Sequence, residues 1–425
     1  MTRNVKIIGD QYPNQEADLY GFRIIVSDYS IIVDDRNVFY KGYARISNVE
    51  FNRPGQFSLD AGDDSKYGIL FSNLGNYNNS RPSYVRSSSF HQCYTAAIGI
   101  FGSNSIPIEN NVVYRTISIG LNIQGNSNII RRNLVAMNYW YGSVCTWHAN
   151  FDKKYWGAIN LVEADSYVLE DNFVAGAERI GIHYRGDLCP GVAMKNAKFN
   201  QSVKGNTVIG AMSGIAIFPT SRTVPGDSFL VEMECVRVSG FNIFKSFYWG
   251  IYYNNKGSLL VDSNILGDNQ VNVWSFVINP SSLDHISANK KVEIKNNVIV
   301  GQSPSFNCTT DLKPDDINTK NAASAVSFGA GPNYSSKIGI VWSNFLNGPN
   351  MSPFKPWKGV KTYNQISGIM LVDNVTFAYF DENCNGDYDA MIAGSLSNDD
   401  GQHPVKVKNL KLNFVNNASK VWLFR

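Results

Sequence analysis

The sequence predicts an all-β chain folded as a right-handed, single-stranded parallel β-helix (β-solenoid) with loop excursions. Three observations lead there: a strand-forming composition, a recurring Asn mark, and a Gly mark that trails it at nearly constant distance. The composition is 44% hydrophobic and 13% aromatic, with only 17% charged residues, against about 25% in an average soluble protein. Val, Ile, Tyr, Phe, Gly and Asn are plentiful, whereas long amphipathic helices would need Ala, Leu, Glu and Lys in bulk. A length of 425 residues exceeds an ordinary domain of about 100–200 residues, but solenoids grow by stacking coils and need no internal boundary.

The Asn mark is Asn followed by two apolar or β-branched residues, as at Asn111, Asn133, Asn172, Asn206, Asn242, Asn264 and Asn297. The second mark is Gly, apolar, any residue, apolar, as at Gly120-Leu121-Asn122-Ile123, Gly181-Ile182-His183-Tyr184, Gly214-Ile215-Ala216-Ile217 and Gly250-Ile251-Tyr252-Tyr253. Each follows an Asn mark by eight or nine residues. Asn111 and Asn133, and again Asn242 and Asn264, lie 22 residues apart, one turn of a solenoid with three short strands; elsewhere the interval grows to between 33 and 39, so those coils carry loops. A β-sandwich would show turn signals about every 8–12 residues but has no reason to repeat the two marks in step.

Strand alternation turns Leu121 and Ile123 inward and Asn122 outward, and places Val113, Val135, Ile182, Ile215, Ile217 and Ile251 in the same core. Gly or Asn turns the corners because both tolerate positive φ, and stacked asparagines build ladders of side-chain hydrogen bonds. The longest departure, residues 137–156 (MNYWYGSVCTWHANFDKKYW), is read as an excursion from the coil wall. Past residue 300 the marks thin out, at Asn344 and Asn374.

A net charge of +3 spread along the chain provides no phosphate-neutralising stripe, which argues against nucleic acid. No run approaches the about 18 apolar residues of a membrane span, so this segment is expected not to insert into a membrane. The start, Met1 to Lys6, lacks the apolar core of a secretory leader; secretion would make the chain a fragment. Two features favour a secretory compartment all the same. One is the even cysteine set Cys93, Cys145, Cys189, Cys235, Cys308 and Cys384, without a CxxC pair. The other is seven glycosylation sequons, at Asn78, Asn200, Asn307, Asn333, Asn350, Asn374 and Asn417. Cys145 is expected to pair with Cys189, because the excursion needs an anchor and Cys189 ends the coil that follows it.

The stretch Ser87 to Trp140 (SSSFHQCYTAAIGIFGSNSIPIENNVVYRTISIGLNIQGNSNIIRRNLVAMNYW) resembles the β-helix region of the fibrocystin and fibrocystin-L family. The opening Thr2 to Asp10 is similar to the end of the family's preceding G8 domain, and Cys384 to Val415 is similar to its last coils. The resemblance implies one β-helix domain over 1–425. Within it, residues 1–10 close a G8-like domain, 11–300 form regular coils, and 301–425 form less regular ones. It also implies an ectodomain at a cilium or other cell surface, held by a membrane anchor outside this sequence. A related branch of cell-surface hyaluronidases carries an Arg-Tyr-Pro-Ile-His-like motif where this chain has Lys66-Tyr67-Gly68-Ile69-Leu70-Phe71, without the His.

Glu178, Arg179, His183, Arg185 and Asp187 gather acid, base and cations within ten residues; alternation points His183 and Arg185 outward, as polysaccharide-cleaving solenoids require. The bland reading is a solvated turn with weak ion pairs. Trp140, Tyr141, Trp147, Tyr155 and Trp156, with His148, Asp152, Lys153 and Lys154, offer a stacking platform for a glycan or an extracellular protein, or else a satellite core; Trp249, Tyr252 and Tyr253 pose the same choice and lean to packing. Asp381, Asn383, Asn385, Asp387 and Asp389 place oxygen ligands at alternate positions around Gly386, but Ile392 stands where a calcium loop wants Glu. Calcium is thus the one cofactor to consider. The function expected is a non-catalytic spacer and ligand surface; the alternative is a β-helix hydrolase or lyase acting on an acidic polysaccharide such as hyaluronan.

Overall fold

The computed structural model describes residues 5–9, 19–56, 66–76, 80–140, 157–161, 164, 166–191, 202–217, 235–255, 257–279, 290–307, 337–342, 365–366, 368–380, 390–395, 405–415 and 420–424. Among these the only regular elements are strands. The chain divides into two compact units, 1–184 with 195–208, and 185–194 with 209–425. Each is a parallel β-helix of three sheets.

In the first unit, one sheet stacks Val5–Ile8, Val49–Asn52, Ser89–Cys93, Val112–Ile117, Leu134–Tyr139 and Phe173–Ala177. A second stacks Ile24–Ser27, Ile69–Gly75, Ile98–Ser103, Leu121–Gln124, Gly157–Asn160 and Ile180–His183. A third stacks Arg45–Ser47, Tyr84–Arg86, Pro107–Glu109, Asn128–Arg131, Tyr167–Glu170 and Ser202–Lys204. Like residues sit above one another. Phe51, Phe90, Val113, Val135 and Val174 form one inward column; Ile69, Ile98, Leu121, Ile159 and Ile182 form another. Both are sealed from solvent. The second unit repeats the plan, with Ile215, Ile251, Val273, Ile340 and Ile392 in register and buried. All eight residues expected to face the core are fully buried or within 2% of it.

A strict period underlies the irregular spacing. Each coil of the first unit turns a corner through a left-handed residue (Asn48, Ser87, Asn110, Arg132, Asp171) and takes a second such residue five positions on (Arg53, Gln92, Arg115, Met137, Gly176), with φ between +49° and +68°. In the second unit Gly240 and Lys245, Ser263 and Asp268, Asn374 and Tyr379, and Asn409 and Phe414 do the same. The corner residues are mostly Asn, Asp, Ser or Gly, whose short or absent side chains best accept this region.

The position after the corner carries the asparagine ladder. Asn111 Nδ2 donates to Asn133 Oδ1 (3.1 Å), Asn133 Nδ2 to Asn172 Oδ1 (3.0 Å) and Asn172 Nδ2 to Asn206 Oδ1 (2.9 Å). The second amide proton of each reaches a main-chain carbonyl, as Asn133 does at Ile108 (2.8 Å). In the second unit Asn264 joins Asn297 (3.1 Å). Asn242, expected to belong to the series, lies one residue out of step: it pairs with Ile265, and the ladder position is filled by the buried Phe241, whose N–H binds Asn264 Oδ1 (3.0 Å).

Candidate functional site

The third sheet of the first unit carries a charge ladder on its outer face, set by the register Arg86, Glu109, Arg131, Glu170, Lys204. Contacts run Arg86–Glu109 (3.0 Å), Glu109–Arg131 (3.7 Å), Arg131–Glu170 (2.9 Å) and Glu170–Lys204 (3.4 Å). The hydrogen bond from Ser202, followed by Arg131 and Lys204, holds the Glu170 carboxyl below its ordinary value. In the second unit Glu293 lies between Lys291 and Lys295, which together outweigh its burial and lower its pKa.

The second sheet is covered on its outer face as well. The column Leu70, Gly99, Asn122, Asn160, His183 was expected to meet solvent at Asn122 and His183. Both are buried, at 3% and 1% exposure, which corrects that expectation. Tyr67 lies over Gly99, where any Cβ would fall 2.0 Å from its ring, and its hydroxyl accepts from Asn122 Nδ2 (2.5 Å). Asn160 Nδ2 then donates to Asn122 Oδ1 (2.8 Å). Tyr67, Leu70, Ala96 and Ile119, with Phe101 against them, form a small apolar cluster over this face. Within the motif stretch Lys66 to Phe71, Tyr67 thus serves as a lid over the sheet, while Ile69 and Phe71 belong to the sheet itself and are fully buried.

Of the presumed catalytic cluster, Glu178, Arg179 and His183 lie in the first unit. Glu178 Oε2 accepts the backbone N–H of Trp140 (2.7 Å), and the Arg179 guanidinium sits 3.9 Å from the Trp140 ring centroid. Trp140 also packs with Leu19, Ile117 and Tyr94. These residues fasten the chain just past the end of the Leu134–Tyr139 strand, and the wall continues to Tyr139, two residues beyond the expected start of the excursion at 137. Tyr141, Trp147, His148, Asp152, Lys153, Lys154, Tyr155 and Trp156 lie outside the described residues.

Arg185 and Asp187 belong to the second unit. Arg185 is half-buried, not outward in solvent. Asp187 begins a two-residue strand, Asp187–Leu188, that pairs antiparallel with Cys235–Ser239, setting Asp187 opposite Arg237. Burial pushes the Asp187 carboxyl up to about 7, with Arg237 pulling it back down. Its Oδ1 has no hydrogen-bond partner, and Arg237 turns to Asp262 instead (3.1 Å). Next to this pair Cys189 is joined to Cys235, with Cα atoms 5.5 Å apart. This replaces the expected Cys145–Cys189 bond: pairing with Arg237 and Val236 carries the chain at Cys189 past Cys235. Cys93, expected in a disulfide, is a buried free thiol whose pKa burial drives far above the ordinary range. Cys145, Cys308 and Cys384 lie outside the described residues, as do Asp381, Asn383, Asn385, Asp387 and Asp389 of the calcium candidate. Of the sequon asparagines, Asn307 and Asn374 are described and exposed; Asn78, Asn200, Asn333, Asn350 and Asn417 are not described.

Trp249 and Tyr252 resolve toward packing. Trp249 stacks on Tyr252 (4.5 Å) and meets Trp274 edge-on (5.0 Å), and all three are buried. Tyr253 is buried too, its hydroxyl donating to Gly257 O (2.7 Å).

Sequence comparison agrees with this architecture. A family model described as CEMIP beta-helix matches residues 37–214. The whole chain aligns with human fibrocystin-L at 33% identity over 437 residues and with mouse fibrocystin-L at 34% over 433, covering 10% of each. Canine fibrocystin aligns at 26% over 386 residues, with 90% of this chain and 8% of that protein. The chain is thus homologous to fibrocystin-L over its whole length and to fibrocystin over nine-tenths of it. It is a β-helix segment that spans about a tenth of the length of those fibrocystin-L relatives.

Proposed function

We propose that the chain is a non-catalytic extracellular segment of a membrane-anchored fibrocystin-like surface protein. It serves as a stiff, glycosylated spacer and presents a surface for a glycan or protein ligand. The observation that carries this reading is the state of the expected catalytic groups: Glu178 and Arg179 hold Trp140, and His183 is buried on the outer face of the second sheet. Glycosidic cleavage needs two cooperating carboxyl groups or their equivalent on an accessible face. Full ladders of amides and charges instead suit a wall that resists bending, since every added rung repeats the contacts of the last. Aromatic side chains of the excursion, Trp147 above all, supply the ligand surface in this reading.

One observation favours the alternative of a carbohydrate-active enzyme: Asp187 has the raised pKa of a general acid. Product formation from hyaluronan and other acidic glycans separates the two. The expected result is no cleavage, with any glycan binding lost on Trp147→Ala. Turnover that disappears in Asp187→Asn, or in a Glu178→Gln, His183→Ala double variant, would overturn the spacer reading.

A further inference from the structure

We propose that residues Asp187–Pro190 form a redox-operated strap, which the Cys189–Cys235 disulfide locks onto the edge of the Cys235–Ser239 strand and which reduction releases. Four features of the second unit converge on it. The strap supplies only two paired residues, Asp187 with Arg237 and Leu188 with Val236, and it runs antiparallel on a sheet whose other rungs are parallel. Glycines bound it at both ends, Gly186 at φ +85° and Gly191 at φ +81°. Around Gly186 a side chain would fall 2.2 Å from Val236, so the close approach depends on glycine, while Gly191 has open space around it.

Among the described residues little else holds the strap closed. Leu188 is only half-buried, so the apolar gain is small. Asp187 opposes closure, because its shielded Oδ1 gives up water without finding a hydrogen-bond donor. Arg237, the cation across from it, attracts the carboxyl only through space and gives its guanidinium hydrogen bond to Asp262. A short segment with few buried contacts, an unsatisfied polar atom and a glycine at each end is what opens first in a folded protein. The disulfide is then the principal lock, closing a loop of 46 residues. Release follows from thiol–disulfide exchange: a dithiol gives up two electrons and two protons and becomes its own disulfide, the Cys189–Cys235 bond breaks, and both sulfurs leave as thiols. Opening frees the backbone groups of Val236 and Arg237 that pair with the strap. The strap is independent of the spacer reading; cleavage of a glycan would leave it standing.

The test uses folded, disulfide-intact protein treated with dithiothreitol, with alkylation and mass spectrometry to count thiols at Cys189 and Cys235. Hydrogen exchange is followed on peptides covering the strap and Cys235–Ser239. On reduction, exchange there should rise at least tenfold while Ser258–Asp262 and Lys291–Lys295 in the same sheet keep their protection. In the reduced protein at pH 8, Asp187→Asn should restore part of the lost protection, because the neutral amide removes the gain from hydrating a carboxylate. Unchanged exchange after complete reduction would overturn the strap, as would a rise spread over all sheets of the unit, which would make the disulfide a staple of the whole fold.

Discussion

The two units solve the same corner differently. In the first, Val49 and Ser88 follow the two earliest corners, and the next four coils carry Asn111, Asn133, Asn172 and Asn206 in an unbroken ladder. In the second, Asn264 and Asn297 stand between Phe241 and Val375, which occupy the equivalent places and are buried. Yet the left-handed residue just before that position is present in both, at Asn110, Arg132 and Asp171 as at Gly240, Ser263, Asn296 and Asn374. The backbone turn is therefore the obligatory part of the coil. The amide ladder is one of two ways to fill the space behind it, and apolar packing is the other. The outer column of the second sheet makes the same contrast. It is Gly99, Asn122, Asn160 and His183 in one unit, and Ala216, Tyr252, Trp274 and Val341 in the other, all of the latter buried.

The largest effect should come from charging the shared core. Ile123→Asp and Ile215→Asp each bury an unpaired carboxylate at a fully buried position and should cost more than about 4 kcal/mol. Limited proteolysis with mass mapping reads which unit opens. Each variant should expose cleavage sites in its own unit first; simultaneous opening of both by either variant would dissolve the division into two.

Ladder variants sharpen the contrast. Asn133→Ala strands the Asn111 N–H and Nδ2 donors and the Ile108 carbonyl together. At about 1–3 kcal/mol for an unsatisfied buried group, with partial relaxation, a loss of about 3 kcal/mol is expected. Asn264→Ala strands the Phe241 N–H and the Val238 carbonyl, and Phe241 brings no amide of its own, so about 2 kcal/mol is expected by the same rule. Urea unfolding midpoints measure both. An equal or reversed order would show that the ladder's length adds nothing.

Gly99→Ala probes the polar cover of the first unit. A methyl group there meets the Tyr67 ring, so the ring must lift and release Asn122; overpacking of this kind costs about 1–3 kcal/mol. Tyr67→Phe, which keeps the ring and drops the hydroxyl bonded to Asn122, should cost about 1 kcal/mol. If Gly99→Ala costs no more than Tyr67→Phe, the ring is not held as tightly as the geometry implies.

Much of this was legible in the residues. Both marks landed on real rungs because apolar columns and corner amides are local necessities of a stacked coil. The better signal was the corner residue one place earlier: Asn110, Asp171, Asn296 and Asn374, like Gly240, are of the types that most readily take positive φ, and following Gly240 would have corrected the register at Asn242. What sequence could not supply was the covering of the second sheet. Alternation assigns a side, but whether that side meets water depends on residues far along the chain, as Tyr67 is from Asn122. The disulfide failed for a related reason. An antiparallel pair of two residues, with no periodic pattern to announce it, decides that Cys189 meets Cys235. Glu178 and His183 looked catalytic because spacing reports proximity along the chain and is silent about which groups are already engaged.

The smallest effects should distinguish the units by pH, with opposite signs. Glu170 in the first unit has a lowered pKa, through Ser202, Arg131 and Lys204. Its contribution is present above the unfolded carboxylate value and is lost as pH falls through the folded one. With Glu170 itself buried but its partners Arg131 and Lys204 partly exposed, the change stays below about 1 kcal/mol and shrinks in salt. Asp187 in the second unit runs the other way. Burial raises it to about 7, so the closed form binds a proton that the open form releases, and closure weakens as pH rises from the ordinary carboxylate range toward about 7. Site-resolved hydrogen exchange from about pH 3 to 8, corrected for intrinsic rates, should show strap protection falling as pH rises toward 7, while the Tyr167–Glu170 strand keeps its own there and loses protection only at the acid end. Glu170→Gln should flatten the acid limb in the first unit, and Asp187→Asn the neutral limb in the second. A strap whose protection grows with pH would mean that the Asp187 carboxylate is stabilised as an anion by Arg237, and the buried neutral carboxyl would have to be abandoned.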